Sequence, residues 1–298
     1  MTVAPWLWAV FTVIAAFSQT LRNAMQRELT ASLGTVGATH VRFLFGFPFV
    51  LLFLVVVLIV TGSPLPRPAL SFWPWAILGA GAQVAATALM LAAMNERSFV
   101  VTIAYLKTEP IQVALFGLIF LGDTVTWPML TAILVASAGV FIMSTKPGAM
   151  VGGMRPTLIG LASAGMFALS SVGYRGGILN LGLPNFVMAA TFTLMVGIAL
   201  QAVLLSLYLV LRQPSVLYAI VAAWRRSLFA GFMGALASQF WFLAFALASA
   251  ASVRTLALIE VLFAQIFARF AFGQRTTLRE AIGMVLVVGG VALLLWAY

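Results

Sequence analysis

Apolar residues fill this chain in long blocks of about 20, separated by short clusters of polar and turn-forming residues. Ten blocks can be laid out, near 5–24, 36–60, 72–94, 98–120, 127–145, 156–178, 184–211, 227–248, 251–272 and 277–296. Each is long enough for an α-helix to cross the hydrocarbon of a bilayer. The connectors carry turn signals, as in Thr61-Gly62-Ser63-Pro64-Leu65-Pro66, Lys146-Pro147-Gly148 and Gly152-Gly153. The pattern predicts an all-α integral membrane protein of ten transmembrane helices. The stretch 146–155 is the linker that divides them into halves at 1–146 and 155–298.

The halves are related. Leu106-Lys107-Thr108-Glu109-Pro110 runs through an apolar stretch to Leu121-Gly122-Asp123, and Ala257-Leu258-Ile259-Glu260-Val261 runs to Phe272-Gly273-Gln274. The shift from Glu109 to Glu260 is 151 positions, and at that shift Ala93, Ser98, Phe116, Gly139 and Val140 meet identical residues. Five spans per half is an odd number, so the second half enters the membrane from the opposite side. That makes two inverted five-helix repeats, an arrangement that supports alternating access.

Composition sharpens the class. Of 298 residues, 63% are hydrophobic and 7% charged, with a mean hydropathy of +1.14. A soluble core of this size needs far less apolar surface. With no cysteine there is no disulfide, thiolate nucleophile or Cys-ligated metal. The N-terminus lacks the basic region of a signal peptide, so its first apolar run reads as a retained span. The net charge of +10 sits mostly in short connectors, where it sets orientation and does not imply nucleic acid. With Arg42, Lys107, Arg254 and Arg269 set aside inside spans, the odd-to-even connectors hold ten basic residues and the opposite side two, Arg67 and Arg175. The excess places those connectors in the cytoplasm and both termini outside.

Charged and amide residues inside spans are the candidate functional groups, since a carboxylate at mid-membrane costs on the order of 2.5–3.5 kcal/mol on insertion scales. In the fourth block Thr102, Tyr105, Glu109 and Gln112 follow at steps of three, four and three, one face of a helix. The ninth block offers Ser249, Ser252, Leu256, Glu260 and Phe263. Each Glu has two readings: a group that binds substrate or carries a coupling proton, or the counter-ion of Lys107 or Arg254. Thr12, Ala16, Gln19, Asn23 and Gln26 align in the first block, and Ser163, Phe167, Ser170 and Tyr174 in the sixth. Gln83 with Thr87, and Ser238 with Phe242 and Phe245 beside Gln239 and Trp241, extend the polar set. Polar stripes on apolar helices escape lipid by converging, so they predict a cavity of amides, acids and aromatics for a solute with a polar head and an apolar side chain. His40 is the only histidine; it is a satisfied polar residue or touches substrate or a proton path, and no second imidazole or acid nearby suggests a metal. Pro110 is a candidate hinge, since proline inside a span removes a backbone hydrogen bond, and Pro48 raises the same expectation. Gly139, Gly283, Gly289 and Gly290 read as close-packing positions, and Trp6, Trp8, Trp73, Trp75 and Trp296 as interfacial anchors.

The repeated segment resembles the EamA module of the drug/metabolite transporter superfamily. The resemblance rests on the turn Asn95-Glu96-Arg97-Ser98, Glu109-Pro110, Gly122-Asp123 and Gly139-Val140, with Glu260, Gly273 and Gly290-Val291 in the second half. Gly122-Asp123 and Gly273-Gln274 stand where many relatives have Gly-Glu, and Val261 where Pro is common. The resemblance implies two modules of five spans and the export of small metabolites, most closely amino acids including aromatic ones. Some relatives keep both termini in the cytoplasm, against the charge count.

The expectation is therefore a secondary exporter in the cell membrane, the inner membrane if the source is Gram-negative. It would be embedded in lipid, would need no cofactor, and would have one chain as its functional unit. A multidrug or cation exporter is the nearest alternative. Paired basic residues in the core would instead favour an anionic solute such as a sugar phosphate. No phosphate-binding Gly-x-x-x-x-Gly-Lys-Ser/Thr loop is present to hydrolyse ATP. An integral membrane lipid-modifying enzyme would need clustered carboxylates or a nucleophile system, which a single Asp, a single His and no Cys do not readily supply.

Overall fold

The computed structural model describes residues 4–96, 105–144, 154–272 and 277–298, and its regular elements are all helices. They are α1 (Leu7–Leu44), α2 (Phe47–Thr61), α3 (Phe72–Glu96), α4 (Glu109–Leu121), α5 (Trp127–Ser144) and α6 (Met154–Asn180). After them come α7 (Phe186–Arg212), α8 (Pro214–Ala222), α9 (Trp224–Leu247), α10 (Ala250–Leu256), a 3₁₀ turn (Ala257–Ile259), α11 (Glu260–Phe272) and α12 (Leu278–Ala297). Among the described residues seven helical stretches are long and apolar enough to cross a membrane. α4 is apolar but only 13 residues long, about 20 Å of helix. Of the ten blocks the first, fourth and ninth are not among the seven, and residues 98–104 of the fourth lie outside the described residues.

The first connector is also displaced. Residues 25–33 continue α1 as helix, because Met25, Gln26, Arg27, Glu28 and Leu29 all favour that state. The interruption comes at Gly34 (φ 66°, ψ 174°), a conformation that only glycine adopts without strain. At Phe45–Gly46 the helical hydrogen bonding is interrupted while both residues keep helical angles (φ −83°, ψ −15° and φ −75°, ψ −32°), so Leu33–Thr61 remains one span. Pro48, in the first turn of α2, has no N–H to bond back across that interruption.

Contacts gather the chain into two compact units, Met1–Ala80 with Gly173–Leu247 and Gly81–Val172 with Ala248–Tyr298. Each unit draws on both sequence halves, so these contact boundaries are not the 1–146 and 155–298 boundaries expected from the sequence. In the first unit α9 packs on α1 and α7, and α2 packs on α7. Leu29, Leu33, Val41, Leu209 and Ile220 form one core, and Leu54, Phe72, Met188 and Phe192 another. Trp8 is 2% exposed, so it belongs to this interior and not to an interfacial belt, whereas Trp6 is 62% exposed. Leu52, Val56, Ile59 and Val60 of α2 face outward, the surface that hydrocarbon covers at no desolvation cost.

In the second unit α5 packs along α12 through glycines. A Cβ on Gly139 would lie 2.7 Å from the Gly283 carbonyl oxygen, and one on Gly290 would lie 2.6 Å from the Ala136 nitrogen. The two backbones approach too closely for side chains. Gly289 has nothing within 4 Å of its Cβ position and faces outward, so it is not one of the packing glycines.

Candidate functional site

The charged groups of the second unit lie where two helices break. Tyr105 and Leu106 are helical, Lys107 and Thr108 turn, and α4 begins at Glu109. Thr108 holds the turn by donating both its amide (3.1 Å) and its hydroxyl (2.7 Å) to the Tyr105 carbonyl. In the repeated segment α10 ends at Leu256, a 3₁₀ turn follows, and α11 begins at Glu260. The two second segments are each 13 residues long and each opens on its glutamate. A carboxylate in the first turn meets the unpaired amides and positive end of the helix, worth roughly 0.3–1 kcal/mol. Pro110 occupies the first turn of α4, where its missing N–H would have had no intrahelical partner. The copy has Val261 there and is interrupted as well, so the interruption does not require a proline.

Each glutamate is paired with a cation far away in the sequence. Arg254 Nη2 donates to Glu109 Oε2 at 2.6 Å, and Lys107 Nζ to Glu260 Oε1 at 2.6 Å. The charge of Arg254 also reaches Glu260, so the four groups form one neutral quartet. The ion-pair reading of both acids is thus realised. It leaves one atom over: Glu109 Oε1 is buried and meets no hydrogen-bond donor among the described residues. A buried acceptor in that condition costs about 1–3 kcal/mol, and a proton or a ligand donor would satisfy it. Beside the break a cleft of about 300 Å³ is lined by Lys107, Thr108, Ile111, Leu134, Ser137 and Phe141.

Two other expected residues of this unit, Tyr105 and Gln112, both meet α6. Tyr105 is buried, its hydroxyl 2.9 Å from Thr157 Oγ1 and its ring packed over Gly160. Gln112 donates to Thr108 Oγ1 (3.0 Å) and to the Leu161 carbonyl (3.4 Å). The turn at 107–108 lies between them but keeps a helical conformation at Thr108 (φ −78°, ψ −9°), so both still reach the same helix. Gln83 is half-buried, and its carbonyl accepts from Thr87 Oγ1 at 2.9 Å. Thr102 lies outside the described residues.

In the first unit Gln19 Oε1 accepts from Trp241 Nε1 at 3.1 Å, and Gln239 Nε2 donates to Thr191 Oγ1 at 2.7 Å. Asn23 Oδ1 accepts from Arg22 Nη2 at 2.7 Å. Phe242 stacks against Tyr174 with ring centroids 4.7 Å apart and lies 6.4 Å from Phe245, all three rings buried. Tyr174 fits there because Gly79 and Gly197 leave it room. His40 is fully buried, with Nε2 3.0 Å from Ser206 Oγ. Arg22, within the 5–24 block yet counted among the connector charges, is buried within α1.

The EamA-like transporter family matches residues 6–145. With seven helical stretches among the described residues long and apolar enough to cross a membrane, the chain is a multi-pass membrane protein whose residues 6–145 resemble that family. No curated protein matches it. Solved structures do, among them a crystal structure of a protein with a TM-score of 0.70 at 18% identity, covering 99% of this chain and 98% of that one. At that identity the likeness concerns the fold alone.

Proposed function

We propose that the protein is a secondary transporter that exports small amphipathic metabolites, amino acids including aromatic ones foremost, by alternating access across the cell membrane. The observation that carries this reading is the pair of discontinuous helices. Each breaks at the equivalent place of its repeat, each restarts on a glutamate, and each glutamate is held by a cation of the other repeat. Helices interrupted at membrane depth expose backbone polar groups that lipid cannot satisfy, so such breaks occur where protein or a solute path covers them. The unmatched Oε1 of Glu109 adds a place for a coupling proton or a substrate amine. A charge-neutral quartet has a low resting cost, and exchanging one member for a ligand group or a proton biases the two repeats relative to each other.

The test is flux in proteoliposomes, with labelled phenylalanine set against a cationic dye and a sugar phosphate, under imposed proton gradients. Phenylalanine flux is expected, with a rate that Glu109→Gln lowers and makes insensitive to the gradient. Wild-type rate and pH dependence in a folded Glu109→Gln protein would return Glu109 to a purely structural ion pair.

A further inference from the structure

The corner between α7 and α9 carries exposed arginines and aromatic rings that neither the ion pairs nor the buried cores use. Two membrane-length helices meet there: α7 ends at Arg212 and α9 begins at Trp224. α8 joins them, and its nine residues make about 13 Å of helix, less than half the thickness of bilayer hydrocarbon. A connector between two spans that cannot itself cross lies at the membrane surface.

Only one side of α8 rests on the protein. Pro214 opens the helix, and Ile220 is fully buried in the core of Leu29, Leu33 and Leu209, with Val216 and Leu217 packed beside it. Ser215, Tyr218 and Val221, at steps of three, lie on the other side, and Tyr218 is 78% exposed. Trp224, half exposed, follows at the start of α9.

Charge frames this surface. Arg212 precedes α8 and Arg225 and Arg226 follow it, all three exposed. From α7 through α9 the chain has no carboxylate, and the segments of this unit hold one acid, Glu28. Whatever that acid meets, at least two of the three positive charges remain within the unit (3 − 1). The Arg225 guanidinium lies over the Trp224 ring, 5.4 Å from its centroid. Stacking occupies the face of the guanidinium and leaves its in-plane N–H fork to oxyanions. Arginines beside exposed aromatic rings at a membrane surface match the boundary of a phospholipid, where phosphate oxygens give way to glycerol and the first acyl carbons. An acidic protein segment could meet the charges, but the bilayer around two spans already reaches Tyr218 and Val221.

We propose that the α7–α8–α9 corner is a binding site for anionic phospholipid. Arg212, Arg225 and Arg226 hold the headgroup and its phosphate, and Tyr218 and Trp224 lie against the glycerol region. The site is independent of the charged quartet and of the solute.

Native mass spectrometry of the purified full-length protein in detergent, titrated with dioleoyl phosphatidylglycerol or dioleoyl phosphatidylcholine, tests this. Phosphatidylglycerol is expected to bind at least about tenfold more tightly, since each arginine near an anionic lipid surface is worth about a factor of five. Arg212→Gln, Arg225→Gln and Arg226→Gln should each lower phosphatidylglycerol affinity by about fivefold and leave phosphatidylcholine unchanged. Arg67→Gln and Arg279→Gln, at exposed positions elsewhere, should change neither. Equal binding of the two lipids by the wild-type protein overturns the proposal whether or not a variant folds. A loss at Arg67 or Arg279 as large as at the corner reduces the effect to overall charge and overturns it too. Displacement of phosphatidylglycerol by equimolar inorganic phosphate, or by poly-glutamate, would assign the surface to a free anion or to an acidic protein segment in its place.

Discussion

Replacing Arg254 with Gln should be the most damaging single change in the charged quartet. It removes the cation 2.6 Å from Glu109 and leaves a carboxylate whose side chain is only 11% exposed. With charge centres about 4 Å apart and an effective dielectric of about 20, the lost attraction is about 4 kcal/mol. Removing one partner of a buried pair typically costs about 3–5 kcal/mol. Arg254 itself is 20% exposed, so water recovers part of the loss and about 3 kcal/mol is the figure to expect. Glu109→Gln should cost less, because Arg254 remains in the field of Glu260. Gln at 109 can also accept a bond from the guanidinium. The double variant Arg254→Gln with Glu109→Gln should recover more than half of the Arg254→Gln loss, since no bare charge is left. Denaturant-induced unfolding of the purified protein in mixed micelles, run as a double-mutant cycle, measures all three. A loss below about 1 kcal/mol for Arg254→Gln would place the pair among solvent-screened surface bridges and refute the argument. So would a double-variant loss equal to the sum of the two single losses.

Three further outcomes follow from packing and charge. Gly139→Ala and Gly290→Ala should each lower stability by about 1–3 kcal/mol, because the added carbon would meet backbone atoms at 2.7 and 2.6 Å, whereas Gly289→Ala should be neutral or mildly stabilising. The same unfolding assay decides between them. Phe242→Ala should destabilise by about 3–5 kcal/mol, given a ring 5% exposed and stacked on Tyr174, and proteoliposome flux should lose discrimination between phenylalanine and alanine. Single cysteines added after Tyr298 and within 146–155 should report topology in intact cells, free of native thiols; the tail should react with an impermeant reagent and the connector should not.

Much of the candidate site was legible as residue types but not as partners. Glu109, Glu260, Lys107 and Arg254 stand out from the sequence because ionisable groups are rare in apolar runs. Their crosswise pairing was not legible, since the contacts join positions 145 and 153 residues apart. The spacing of Tyr105 and Gln112 was legible, since both meet α6, but the turn between them was not: Thr108 bonds back to Tyr105 and ends one segment before Glu109 starts the next. Pro110 drew attention as a kink, yet the equivalent break forms before Val261 without any proline.

By itself the sequence determined the class and the helical content. Those properties follow from composition, because a bilayer demands long apolar helices. Only the tertiary structure decided where helices stop and which charges meet. Breaks at Gly34, Phe45–Gly46, Lys107–Thr108 and Ala257–Ile259 depend on backbone conformation and on local hydrogen bonds, to which hydropathy is blind. The same holds for Arg22. A count of connector charges assigned it to the water phase, but the continuing helix and the reversal at Gly34 carry it into the interior beside Arg42, because an arginine's surroundings are set by the helices that fold around it.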